Sequence, residues 1–116
     1  MTTKSSRRGV DAGSYLEKLL GPLTLGKVVR ATREGDGLSQ QDFANRLGLS
    51  KSHLCDIEKG RKVVSPERAA HIARILGYSV QQYVQLALQD QLRRCKLGFE
   101  VQLRPARAVR RRQRAA

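Results

Sequence analysis

The sequence predicts an all-α fold, a compact bundle of five short helices, and three observations carry that prediction. Apolar residues recur at three- and four-residue spacing in successive windows between Leu25 and Leu92, as in helices with one buried face. Four of those windows open on a serine (Ser39, Ser50, Ser65 and Ser79) whose hydroxyl can accept from the unpaired N–H groups of a first helical turn. Glycines at 35, 37, 48 and 77 separate the windows, where a helix tends to stop. At 116 residues the chain is one such domain with extensions.

Residues 1–10 are polar and basic without apolar periodicity and read as a disordered arm. Residues 11–22 hold a short amphipathic helix in which Tyr15, Leu16, Leu19 and Leu20 share a face, ended by Gly21-Pro22. It is expected either to pack on the domain or to contact a second copy. The domain itself is expected over 23–94. Its first helix runs from Thr24 to about Glu34 with Leu25, Val28, Val29 and Thr32 on or near the buried side, and Gly35-Asp36-Gly37 turns the chain.

The second helix spans roughly Gln40 to Leu47 and buries Phe43, Ala44 and Leu47. Gly48 supplies the left-handed conformation that lets the chain enter the third helix at once. That helix spans roughly Lys51 to Glu58, with Leu54 and Ile57 inward. After a basic loop, Ser65-Pro66-Glu67 combines a hydroxyl cap, a proline at the first helical position and an acid in the first turn. The fourth helix runs from there to about Leu76. Ser79-x-x-Gln82 has the form of a capping box, opening a fifth helix to Arg93 or Arg94 along a stripe of Tyr83, Val84, Ala87, Leu88 and Leu92.

Residues 95–103 break the helical pattern. Phe99, Val101 and Leu103 alternate with Glu100 and Gln102, which is the spacing of a strand. One strand has no partner in an all-α bundle, so it must pair with a second copy, with another protein, or fray. Residues 104–116 carry six Arg and no acid and read as a disordered basic tail.

The stretch Gln40-x-x-x-Ala44-x-x-x-Gly48-Leu49-x-x-x-x-Leu54-x-x-x-Glu58-x-Gly60 resembles the helix-turn-helix of the phage repressor and Cro (XRE) family of DNA-binding proteins. The resemblance implies that the third helix enters the major groove of double-stranded DNA with its N-terminal residues toward base edges. Lys51, Ser52 and Asp56 then become the residues for direct base readout, with His53 at the edge of reach. Gln40, Ser50, Lys59, Arg61 and Lys62 fall where phosphate contacts are expected. The resemblance also implies a structural ion pair between Arg33 and Glu58 that sets the angle of the third helix.

Composition agrees with an anionic partner and constrains the rest. Lys and Arg number 23 against 10 acids, a net charge of +13. Nine of those cations lie in 1–9 and 104–116, so residues 10–103 are only +4. The expectation therefore rests on the placed residues more than on total charge. No run is long enough to span a membrane, no signal-peptide core follows the basic start, and a cytoplasmic, nucleoid-associated protein without membrane contact is expected. Cys55 and Cys95 are too few for a disulfide framework, and with His53 and His71 they form no metal spacing. No cofactor loop or activated nucleophile is legible, so an enzyme is not expected. A dimeric repressor on a palindromic operator is the leading expectation. The alternative is an antitoxin that binds a ribonuclease-type toxin protein and represses its own operon, using the 97–103 strand for the toxin.

Overall fold

In this computed structural model residues 21–106 are described, and among them the chain forms five α-helices and no strand. They are α1 (Leu25–Gly35), α2 (Gln40–Leu47), α3 (Lys51–Glu58), α4 (Pro66–Leu76) and α5 (Val80–Arg94). All five begin on a hydroxyl cap: Thr24, Ser39, Ser50, Ser65 and Ser79 accept from the backbone N–H three residues on, at 3.0–3.2 Å. Each such cap stabilises its helix by about 1 kcal/mol, which matters for helices as short as the eight-residue α2 and α3. No helix of the described residues is long and apolar enough to cross a membrane.

The core is built from one stripe of each helix. Leu25 and Val29 of α1, Phe43 and Leu47 of α2, Leu54 and Ile57 of α3, Ile72 of α4 and Tyr83 of α5 are buried together. Ala44, Ala69, Ala73 and Ala87 are buried among them. α4 and α5 pack along their length, while α1 and α2 both rest on α3.

Two contacts fix α1 against the rest. At Gly26 an added Cβ would fall on the Ile57 carbonyl oxygen, so the backbones of α1 and α3 touch where only glycine fits. The N-terminus of α1 is capped a second time from across the fold, because Asp90 of α5 accepts from the Leu25 N–H at 3.0 Å. Burial pushes the Asp90 carboxyl above its ordinary value, opposed by that N–H and by Arg93.

The C-terminal segment departs from the expectation of a strand paired to a strand. Residues 97–106 carry no helix or strand, yet 99–103 are held against α5 by glutamine side chains. Gln89 donates to the Phe99 carbonyl and accepts from the Val101 N–H, both at 2.8 Å. Gln85 accepts from the Leu103 N–H at 3.3 Å, and Gln81 donates to the Leu103 carbonyl at 2.8 Å. Side-chain amides thus do what a neighbouring strand would do, which is why an all-α bundle can hold extended chain. The arm at 1–10, the helix expected within 11–20 and the tail from 107 onward lie outside the described residues.

Candidate nucleic-acid interface

Gly48 takes a left-handed conformation (φ 71°) at the end of α2, and its N–H closes back on Asn45. Two residues later Ser50 starts α3. The turn is this tight because glycine adopts the conformation without strain and serine supplies the next cap at once. Leu54 and Ile57 anchor one side of α3 in the core. Lys51 and Ser52 are exposed on its first turn, and His53 is half-buried beside them.

The C-terminal end of α3 is held by a polar lock. Glu58 is buried, with 2% of its side chain exposed, and Arg33 of α1 reaches it with two hydrogen bonds. Arg33 Nε donates to Oε2 at 2.8 Å, and Nη2 donates to Oε1 at 3.1 Å. The third arm of the guanidinium, Nη1, donates to the Leu38 carbonyl at 3.0 Å. Gln40 adds its Nε2 to Glu58 Oε1 at 3.1 Å, so α1 and α2 converge on one carboxylate, and Arg33 also holds the loop between them. Pairing with Glu58 outweighs burial and pushes the Arg33 guanidinium up from its ordinary value.

Asp56 serves a second, looser cluster. Its carboxylate lies 3.5 Å from Arg61 Nη1 and 3.7 Å from Lys62 Nζ, and its backbone carbonyl accepts from the Arg61 N–H at 2.8 Å. The basic loop after α3 therefore folds back over the helix that precedes it. Arg94, at the end of α5, ties this loop to the bundle by donating to the Arg61 carbonyl at 2.8 Å. Burial, with Arg68 and Lys62 nearby, pushes the His53 imidazole below its ordinary value against the pull of Asp56.

The structure brings Arg33, Gln40 and Glu58 into one contact set and Asp56, Arg61 and Lys62 into another. Lys59 is exposed at the C-cap of α3, and Ser50 spends its oxygen on the His53 N–H while its hydroxyl proton is available to an acceptor. Gly26, Asp90 and Arg94 were not singled out by sequence reasoning, since each acts through a residue at least 31 positions away. The glutamines did leave a signal: 81, 85 and 89 recur every four residues, on one face of α5.

Comparison with known proteins places this geometry. Residues 24–83, just over half of the chain, match the family model described as "Helix-turn-helix domain". The "Competence pilus inhibition repressor" of Acinetobacter baylyi is 32% identical over 65 residues, covering 56% of this chain and 59% of that protein. The "ImmF control region 10 kDa protein" of Bacillus phage phi105 is 34% identical over 53 residues, 46% of this chain and 59% of its own. The "Endothelial differentiation-related factor 1 homolog" of Xenopus laevis is 28% identical over 60 residues, 52% of this chain and 41% of its own. The chain thus spans between about two fifths and three fifths of the length of these curated relatives. No solved structure matches it. With Gly48 turning α2 into α3 and the match running from the cap of α1 into α5, the chain belongs to the helix-turn-helix family, in its phage repressor and Cro form.

Proposed function

We propose that this chain is a sequence-specific, double-stranded-DNA-binding transcriptional regulator that acts as a dimeric repressor, with residues 23–94 as its DNA-binding unit. The observation that carries the proposal is the asymmetry of α3. Its C-terminal end is locked by Arg33, Gln40 and Glu58, while Lys51 and Ser52 stand exposed on its first turn without a side-chain hydrogen bond among the described residues. A helix held rigidly at one end with unengaged polar groups at the other suits insertion into a major groove.

Lys51 donates to guanine O6 and N7, Ser52 serves either donor or acceptor edges, and His53 reaches the margin of the site. Asp56 accepts from a cytosine amino group only by giving up part of its hold on Arg61 and Lys62. Its main role is to set the pose of that loop, and its second is to exclude sequences that present base acceptor atoms to it. Gln40 and Ser50 at the two helix starts, with Lys59, Arg61 and Lys62 behind α3, take phosphate oxygens and fix the docking register. One helix reads too few base pairs for a unique site, so two copies on half-sites ~34 Å apart complete the operator. Relatives named for repression and for a phage control region support a repressor over an antitoxin as the first reading.

Selection of bound fragments from a random duplex pool at fixed salt tests this. The expected product is a palindromic consensus whose affinity falls by several decades between ~50 and ~200 mM salt. A pool that returns no consensus, with Lys51→Ala binding like the unaltered chain, would overturn it.

A further inference from the structure

Among the described residues, 99–103 are hydrogen-bonded to the bundle along one of their two backbone edges. Four helical residues advance about 6 Å and two extended residues about 6.7 Å, so Gln81, Gln85 and Gln89 keep step with every second residue of a chain running back along α5. The bonded groups belong to Phe99, Val101 and Leu103. Backbone groups of successive extended residues point to opposite edges, so those of Glu100, Gln102 and Arg104 face outward. None of these outward groups is hydrogen-bonded among the described residues. The inner ladder ends at Leu103, because Pro105 has no N–H to offer Gln81.

We propose that this outer edge pairs with the same edge of a second copy, antiparallel about a two-fold axis through Gln102. The stretch Phe99-Glu100-Val101-Gln102-Leu103-Arg104-Pro105 is complementary to its own reverse. In this register Gln102 meets Gln102, Glu100 meets Arg104 twice, and Val101 meets Leu103 twice. Those of 100, 102 and 104 become hydrogen-bonded pairs, each exchanging two backbone bonds. Phe99, 67% exposed in the single chain, is covered by Pro105 of the second copy. Moving the axis to Glu100 sets two carboxylates directly opposite each other, which is unfavourable. Pairing about Gln102 joins opposite charges, buries apolar residues against each other and satisfies the unpaired edge. The proposal deepens the dimeric-regulator reading by naming the surface that makes the dimer.

A charge-swap cycle on the full chain, read by sedimentation equilibrium in reducing buffer without DNA, tests it. Glu100→Arg and Arg104→Glu alone each place like charges opposite in two symmetric pairs, and each should raise the dimer dissociation constant about five- to thirty-fold. The double variant Glu100→Arg/Arg104→Glu restores the pairs and should return the constant to that of the unaltered chain. Both positions are exposed, so thermal melting at concentrations below the dimer dissociation constant should be unchanged throughout. Rescue by the double variant supports the pairing. A dimer indifferent to all three substitutions overturns this surface while leaving a dimeric regulator intact. A chain monomeric at ~100 µM overturns the pairing directly, and retention or loss of the DNA consensus then judges the functional reading separately. Arg104→Glu that tightens association would also overturn it, since that is the result of general repulsion between two basic chains.

Discussion

Removing Arg33 should destabilise the fold far more than removing an ordinary surface arginine. Only 14% of its side chain is exposed, and it makes three hydrogen bonds, two to Glu58 and one to the Leu38 carbonyl. Arg33→Ala leaves the Glu58 carboxylate buried with Gln40 as its remaining side-chain partner. Stranding one member of a buried pair costs roughly 3–5 kcal/mol, and the partial exposure of Arg33 places this case near the lower figure. For a domain of this size ~3 kcal/mol corresponds to a drop in Tm of about 12–24 °C. Replacing both members by apolar residues, Arg33→Met with Glu58→Leu, removes the stranded charge and should recover most of the loss. Urea unfolding of Arg33→Met, Glu58→Leu and the double variant, followed by circular dichroism, gives the coupling directly. We expect it to be ~2 kcal/mol or more. A coupling under ~0.5 kcal/mol would refute the view that this pair positions α3. DNA affinity of Arg33→Ala, measured well below its Tm, should also fall, because α3 then loses its bidentate tie to α1.

Two further substitutions test neighbouring parts of the site. Asp56→Asn removes the countercharge of Arg61 and Lys62, which are 62% and 59% exposed, so stability should hardly change. Non-specific DNA affinity should instead rise and the slope of log affinity against log salt should steepen by about one, in fluorescence anisotropy on a random duplex; an unchanged slope would separate Asp56 from the loop's electrostatics. Asp90→Asn keeps an oxygen for the Leu25 N–H while removing a charge that burial disfavours. Because the folded carboxyl holds its proton to higher pH than the unfolded one, the native chain loses stability as pH rises from the ordinary carboxylate value through the raised one. Asp90→Asn should abolish that slope and match or exceed the unaltered chain at pH 7, whereas Asp90→Ala should cost ~1 kcal/mol through the unpaired N–H; equal destabilisation by both, in melts across pH, would contradict this.

The parts of this molecule that were legible in the sequence are those decided within a few residues. Ser39, Ser50, Ser65 and Ser79 announce their helices because a cap acts on the next turn, and Gly48 announces its turn because a left-handed residue is a local need. Gly26 could not be read as a contact, since an interior helical glycine looks like a weakness until the Ile57 carbonyl is seen against it. Asp90 likewise reads as a polar residue of α5 until the start of α1 is packed beside it. The strand-like alternation at 99–103 was legible, but the nature of its partner was not. Strand pairing is normally a matter between backbones, and here one side of the ladder is made of glutamine amides.

The same distinction separates the two ends of α3. The ties from other elements beyond apolar packing gather at its C-terminal half: Glu58 in its lock, the Ile57 carbonyl against Gly26, and Asp56 holding a loop that Arg94 joins to α5. These ties come from α1, α2 and α5, so a disturbance at any of them reaches the pose of α3. The N-terminal half has core packing through Leu54 and the Ser50 cap, and Lys51 and Ser52 make no side-chain hydrogen bond among the described residues. α5 also carries the glutamines that hold 99–103, so the edge proposed for the second copy and the loop behind the reading helix sit on one rigid element. Spacing between two reading helices would then be set by a single helix and a strand pair rather than by a flexible linker. That is the condition under which half-site spacing becomes a strict property of the operator rather than a loose one.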